Sequence, residues 1–501
     1  IYAERGRNAE ALALAQWADR TMEEAGLNPN SLYRIAVRRV LADLYAITGR
    51  YAEAVRIYDD LEKIAAADAR HGAEVAVATL DTVRAYVGVD RPADALASGD
   101  QLLASSVKNY GVEHYKTAEV RGYRAMALQQ LGRPGEARKE FEQAIGIMLE
   151  PDKSLGGQEN SATKAFRMRA ILDGYLNLLV GQGAQRTPKD AAEAFRVADV
   201  VRWQSVQKAV SGSALRAAAG TPELGARIKT MQDNDDELQS VYKNLIAQRS
   251  APPDKQLPAV IAAMEKRIAT LLKEQEQALA DIRRQFPKYD ALVNPRPADL
   301  QTARMALQPN EALLSVYVTE VGTYVWAAGS APDAGLQFHF SPRTRAWVAG
   351  QVKRLRDAVD LTADISPDRM KFDLEAAHAL YKELLAPVES AWARSDTLLV
   401  VANDALGQIP FSLLTTAPAA AAKAEAGLPL SQYRQTPWLA RKVALSLDQR
   451  FCDIAVCREF KGIPHPVHRV WGSRLRQPEN SGCQTRPWHT QPAHQSCAEV
   501  G

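Results

Sequence analysis

The sequence predicts an α + α/β fold: an all-α front made of helical repeats and a long helical hairpin, then an α/β unit. Three observations predict it. A six-residue phrase occurs four times in the first 137 residues. Two long segments with apolar residues three and four apart flank the pair Pro252-Pro253, where a helix has to break. After Pro295-Arg296-Pro297 the apolar period falls from helical to strand-like, and Leu398 to Ala402 is an almost wholly apolar run.

The phrase reads Gly6-Arg-Asn-Ala-Glu-Ala11, Gly49-Arg-Tyr-Ala-Glu-Ala54, Asp90-Arg-Pro-Ala-Asp-Ala95 and Gly132-Arg-Pro-Gly-Glu-Ala137, at intervals of 43, 41 and 42 residues. An amphipathic stretch precedes each later copy, for example Val40 to Ile47, and a second one follows. The glycine suits a left-handed helix end, and the alanine suits a close approach of two helices. Helix, Gly-Arg turn, helix resembles the tetratricopeptide (TPR) plan in its longer form. That resemblance implies a solenoid over residues 1–150 that binds a protein or peptide partner. His71 and His114 stand alone in this region and read as surface or packing residues, not ligands.

Residues 151–220 continue as helix. Ala165 to Val180 is followed by a glycine-containing linker, Gly181 to Pro188, and by a helical stretch from Asp190 to Ala219. Trp203, on a helix with Val197, Val200 and Val206, reads as core. In residues 221–290, the helices Leu224 to Ala247 and Leu257 to Phe286 predict an antiparallel hairpin. Ile261, Met264, Ile268, Leu271, Gln275, Ala278 and Ile282 form the seam of the second helix, and Ile228, Met231, Leu238, Val241 and Leu245 that of the first. Lys266, Arg267, Lys273, Arg283 and Arg284 alternate with acids, which makes a solvated face and not a nucleic-acid stripe.

From residue 295 to 446 the alternation predicts strands at Ala312 to Val318, Thr323 to Ala328 and Leu336 to Phe340. Helices follow at Arg343 to Val359 and Phe372 to Leu385, then the buried strand at Leu398. Asn403 and Asp404 tolerate left-handed backbone and turn the chain at that strand's carboxyl end. Pro410 then fixes one backbone angle before Leu413 and Leu414 re-enter the core.

The segment Asn403 to Leu414 resembles the "P-D-G-x-L-x-x-I-P-F-x-x-L" signature of the CHAT domain, the caspase-like cysteine peptidase domain that usually follows TPR repeats in bacterial proteins. Asn403 stands for the proline, Ala405 for the glycine, and Leu406 falls one place early. Glu311 to Ala328 resembles the opening hairpin of that domain, and the helical stretch around Ala191 to Ala219 resembles the connector before it. The resemblance implies the front part of a caspase-like sheet, and relatives in which a His-activated thiolate attacks a peptide carbonyl. The family's His and Cys come well after the I-P-F segment. His339 and His378 therefore match neither position, and no residue here is assigned a catalytic, cofactor or metal role.

Beyond Ser446 the pattern collapses. All four cysteines, Cys452, Cys457, Cys483 and Cys497, fall in the last fifty residues, with His465, His468, His489 and His494 among Arg, Pro, Gln and Trp. A zinc site, a disulfide-linked extension and a slipped reading frame compete to explain residues 447–501. The slip is favoured. Permitted codons for Val470 to Arg476, read in the shifted frame, yield G-F-G-D-P-V-F, a phrase that recurs in CHAT domains. On this reading the chain is truncated ahead of the catalytic pair, is inactive as it stands, and ends in a disordered tail. The runner-up is a non-catalytic TPR scaffold.

Lys+Arg 62 against Asp+Glu 59 leaves a net charge of +3 with no basic block, so nothing calls for nucleic acid. No stretch of 18 apolar residues predicts a membrane span. A cytoplasmic chain is favoured, with export left open because the first residue is Ile1. The sequence sets no oligomeric state.

Overall fold

The computed structural model describes residues 7–67, 78–149, 161–202 except 182 and 185, 222–251, 253–287, 289, 299–331, 335–358, 372–420, 430–448 and 469–471. The described chain is mostly helical, with a mixed sheet in its C-terminal half.

Among the described residues, seven helices build the repeat region: α1 (Asn8–Glu24), α2 (Leu32–Ile47), α3 (Tyr51–Ala67), α4 (Leu80–Gly88), α5 (Pro92–Tyr110), α6 (Tyr115–Gln130) and α7 (Pro134–Met148). The recurring phrase sits at the turns. Gly49 and Gly132 have φ of 80° and 70°, and Asp90, which replaces glycine in the third copy, keeps the left-handed backbone at 58°. There the next arginine's N–H reaches back to close the helix end, from Arg50 to Tyr45, Arg91 to Tyr86 and Arg133 to Leu128. The same arginines pair with the acid three residues on, Arg50 with Glu53, Arg91 with Asp94 and Arg133 with Glu136, each at 2.7 Å. Arg7 and Glu10 repeat the pair in the first copy. These acids lie in first turns, where the helix dipole favours negative charge. The phrase's last alanine, Ala54, Ala95 or Ala137, is fully buried where helices touch.

Among the described residues the stack continues with α8 (Ser161–Val180) and α9, residues 188–202. Of the residues read with Trp203, Val197 and Val200 are buried; Trp203 and Val206 lie outside the described residues.

The hairpin is α10 (Pro222–Ser250) and α11 (Pro258–Gln285). Leu238 and Leu245 pack on Ile268 and Leu271, and Leu224 on Ile282. The seam runs Ile268, Leu271, Gln275, Leu279, Ile282 and passes through Leu279, not Ala278. At about 3.6 residues per turn a straight helix drifts away from a strict seven-residue spacing, so the stripe steps forward one residue. The hairpin seats on the repeats through rings: His114 stacks on Tyr110 at 4.8 Å and meets Tyr242 edge-on at 4.9 Å. Arg249 of α10 donates to the Asn109 carbonyl at 2.8 Å.

After a short helix, α12 (Leu300–Met305), come β1 (Glu311–Val318), β2 (Thr323–Gly329) and β3 (Leu336–Ser341), an antiparallel meander. Helices α13 (Arg345–Asp357) and α14 (Leu374–Leu380) carry the chain to β4 (Thr397–Ala402), parallel to β1, and β5 (Ala444–Asp448) lies parallel to β4. β6 (Arg469–Trp471) pairs antiparallel with β5, giving the order β3-β2-β1-β4-β5-β6. Structure therefore reaches into the stretch read as a disordered tail: Leu447 and Asp448 complete β5, and 469–471 extend the sheet. The outer edge of β5 offers unpaired backbone groups that an extended segment satisfies.

One face of the sheet, with Leu314, Val316, Val325 and Val400, is covered by α13, α14 and the turns after β4. Leu406, Ile409, Phe411 and Leu414 are buried there, while Leu413 is only half-buried.

Candidate functional site

From the α/β unit itself the other sheet face meets the short α12, whose Leu300 and Ala303, with Leu307, join its core. Side chains alternate along a strand, so Leu313, Ser315 and Tyr317 of β1, Tyr324 and Trp326 of β2, and Leu399 and Val401 of β4 point together to one side. All of these but Ser315 join a single core with Leu172, Leu176, Ala194 and Val197 of α8 and α9, and that core continues back into the repeats as far as Ala42. The end of the helical array is the second layer of the sheet.

Polar contacts fix the joint. The Trp326 indole, fully buried, donates to the Ala191 carbonyl at 2.8 Å and meets Phe195 edge-on at 5.9 Å. Arg202, 3% exposed, donates to the Ser315 hydroxyl at 2.9 Å and the Val316 carbonyl at 3.0 Å. Burial pulls the Arg202 guanidinium below its ordinary value.

At the carboxyl ends of β1 and β4 the joint becomes ionic. β1 leads out to β2 and β3 on one side of the sheet, and β4 to β5 on the other. This is the strand-order switch where α/β sheets open a crevice. The Asn403 side chain bridges the two strands, accepting from the Val318 N–H at 2.8 Å and donating to the Val318 carbonyl at 3.1 Å. Asp404 follows with φ of 54°, a left-handed backbone that costs an L-residue energy. Its carboxylate pairs with Arg169 of α8 at 3.1 Å and Arg345 of α13 at 2.9 Å, and Arg345 also reaches Glu320 at 2.8 Å. Next to it Tyr317 donates to Asp173 of α8 at 2.7 Å. Burial raises Asp173 to about 6, against the lowering effect of the Tyr317 hydrogen bond and the Arg169 charge. Burial and the Asp173 charge hold the Tyr317 hydroxyl well above its ordinary value. The arrangement binds the array to the sheet at one strained, charged point. Arg169 and Asp173 reach it from one face of α8, four residues apart.

The histidines lie elsewhere. His339 is on β3 opposite Val325, and burial lowers its pKa. His378 is in α14, its Nδ1 3.1 Å from the Thr415 carbonyl oxygen and its ring stacked on Tyr381. His114 caps α6 by accepting from the Lys116 N–H at 3.1 Å. His71, the four cysteines and the four tail histidines fall outside the described residues. Among the described residues no group of three His, Cys, Asp or Glu could hold a metal ion, and no helix is long and apolar enough to cross a membrane.

The sequence pointed to Asn403 and Asp404 as a turn, and they sit at the heart of the junction. Arg169, Asp173, Tyr317 and Arg345 gave no such signal, because an i,i+4 charge pair on a helix reads as solvated. In comparisons with known proteins, no family model and no curated protein matches the chain.

Proposed function

We propose that this is a TPR–CHAT protein: a repeat array that recognises a protein or peptide partner, joined to the front of a caspase-like sheet. Its intact relatives are cysteine peptidases, and this chain is inactive as it stands. The observation that carries the reading is the shared core from Ala42 to Val401, because a partner that reshapes the array must also move a layer of the sheet. The strand order, with three mutually parallel strands and a covered face on each side, suits a caspase-like sheet.

A non-catalytic TPR scaffold is the second reading, favoured by the shared core itself, which joins the array to the sheet without calling on a catalytic pair.

The coding sequence from the Trp438 codon onward tests between them. One inserted or deleted base that restores G-F-G-D-P-V-F, followed by a His and a Cys, supports the peptidase relatives. An intact frame with nothing of the kind gives the scaffold reading the lead. Peptide hydrolysis by the purified chain, abolished by thiol alkylation, refutes the inactive reading.

A further inference from the structure

The hairpin is built as a separate body. Among the described residues, its apolar clusters draw on α10, α11 and the adjoining Phe286 and Tyr289, and take no side chain from the repeats, whereas array and sheet share one core. The contacts that seat α10 on the array are rings and hydrogen bonds, and a seat of that kind opens more readily than a packed core.

His114 stands at the centre of this seat with two duties. Its Nδ1 accepts the Lys116 N–H and so caps α6, while its ring stacks on Tyr110 of α5 and meets Tyr242 of α10 edge-on. The cap requires an unprotonated Nδ1. A proton there turns the acceptor into a donor that faces a donor, at a helix N-terminus that disfavours positive charge. The neighbouring charges sharpen the conflict. Lys116, and Lys164 from α8, both oppose protonation of the ring. Arg249 of α10, bound to the Lys108 and Asn109 carbonyls and to Glu265, brings a third cation beside Tyr242. Glu113, the adjacent acid, is exposed to water.

We propose that His114 is a proton-operated latch: neutral, it holds the hairpin on the array, and protonated, it lets the hairpin go. The latch does not depend on what the sheet does. An ordinary imidazole takes its proton near 6.5 and the latched one near 4, so the latch is closed at neutral pH. Because proton and seat compete, the ratio of seated to released hairpins falls about a hundredfold between about pH 7.5 and 4.

Two measurements on the full chain test it. A donor–acceptor dye pair on non-canonical residues at Gln101 of α5 and Lys243 of α10, both exposed, reports the seat. Expected is a reversible loss of energy transfer in the parent across that pH range, with circular dichroism unchanged. In His114→Asn, which keeps an N-cap acceptor and cannot be protonated, transfer is independent of pH. Carbon-13 NMR of the His114 ring gives the reciprocal reading. The Tyr242→Ala/Arg249→Ala variant, which unseats the hairpin, should raise the ring's pKa by about one unit or more towards its ordinary value. Transfer that stays constant in the parent, or that falls equally in His114→Asn, overturns the proposal. So does a His114 titration that the double variant leaves where it was.

Discussion

The Tyr317 hydroxyl donates to the Asp173 carboxylate at 2.7 Å across the boundary between the helical array and the sheet. Tyr317 is 1% exposed and sits in the core shared by the two units. Its hydroxyl would be left unpaired there without a partner from α8. The bond places an acid with a raised pKa at the joint, beside Arg169, Arg345 and Asp404, and gives the joint a pH dependence.

Asp173 titrates near 6 in the fold against an ordinary 3.8. The folded state therefore binds its proton more readily than the unfolded chain between those values, and the group's stability contribution falls as pH rises through about 4 to 6. Asp173→Asn removes the titration, so stability of the variant relative to the parent should rise across that window by up to about 3 kcal/mol. Urea unfolding of both proteins at pH 4.5 and 7.5 measures it. Because Asp43 is also raised to about 6, only the difference between the two proteins isolates Asp173. A difference that does not change with pH rules the raised value out.

His114 behaves in the opposite sense. Burial, with the Lys116 and Lys164 charges, lowers it from 6.5 to about 4. Its contribution is present above pH 6.5 and is lost as pH falls towards 4. His114→Asn keeps an N-cap acceptor and cannot be protonated, so the parent should lose up to about 3 kcal/mol more than the variant across that range. Urea midpoints as a function of pH give the comparison. Parallel curves count against the buried neutral ring between Tyr110 and Tyr242.

Trp326→Ala opens a cavity between α9 and β2 and should cost about 3–5 kcal/mol. Trp326→Phe, which leaves the Ala191 carbonyl without its donor, should cost about 1–3 kcal/mol. Native-state hydrogen exchange is the informative readout, because a shared core predicts lost protection in α8 as well as in β1 and β2. Protection in α8 that survives Trp326→Ala shows that the array stands without the sheet.

Asp90→Gly places the residue that the second and fourth phrases use at a left-handed position. It should stabilise the protein by about 0.5–1 kcal/mol, whereas Gly132→Ala, at φ 70°, should destabilise it by about 1 kcal/mol. Thermal melts of the two variants decide, and a destabilised Asp90→Gly shows that the aspartate side chain does more than occupy the turn.

Much of the helical half was legible because its signals are local. A left-handed residue, an arginine with an acid three places on, and a buried alanine recur within six residues, and each acts through the adjacent turn. The same holds for the strands and for Asp404, whose left-handed backbone follows from a short polar side chain at a strand end. Where a local pattern needed length to resolve, it slipped by one residue, as at Leu279.

By itself the sequence determined the elements, their caps and their apolar faces, since period and turn chemistry act over one or two turns of chain. Only the tertiary structure decided what those faces meet. An alternating strand announces a covered side without saying by what, and on one face of β1 and β2 much of the cover comes from helices more than a hundred residues away: Ala191 beneath Trp326, Asp173 beneath Tyr317. Apolar burial carries no address. The specific partners are fixed by shape and by the few polar groups that must be satisfied once water is excluded.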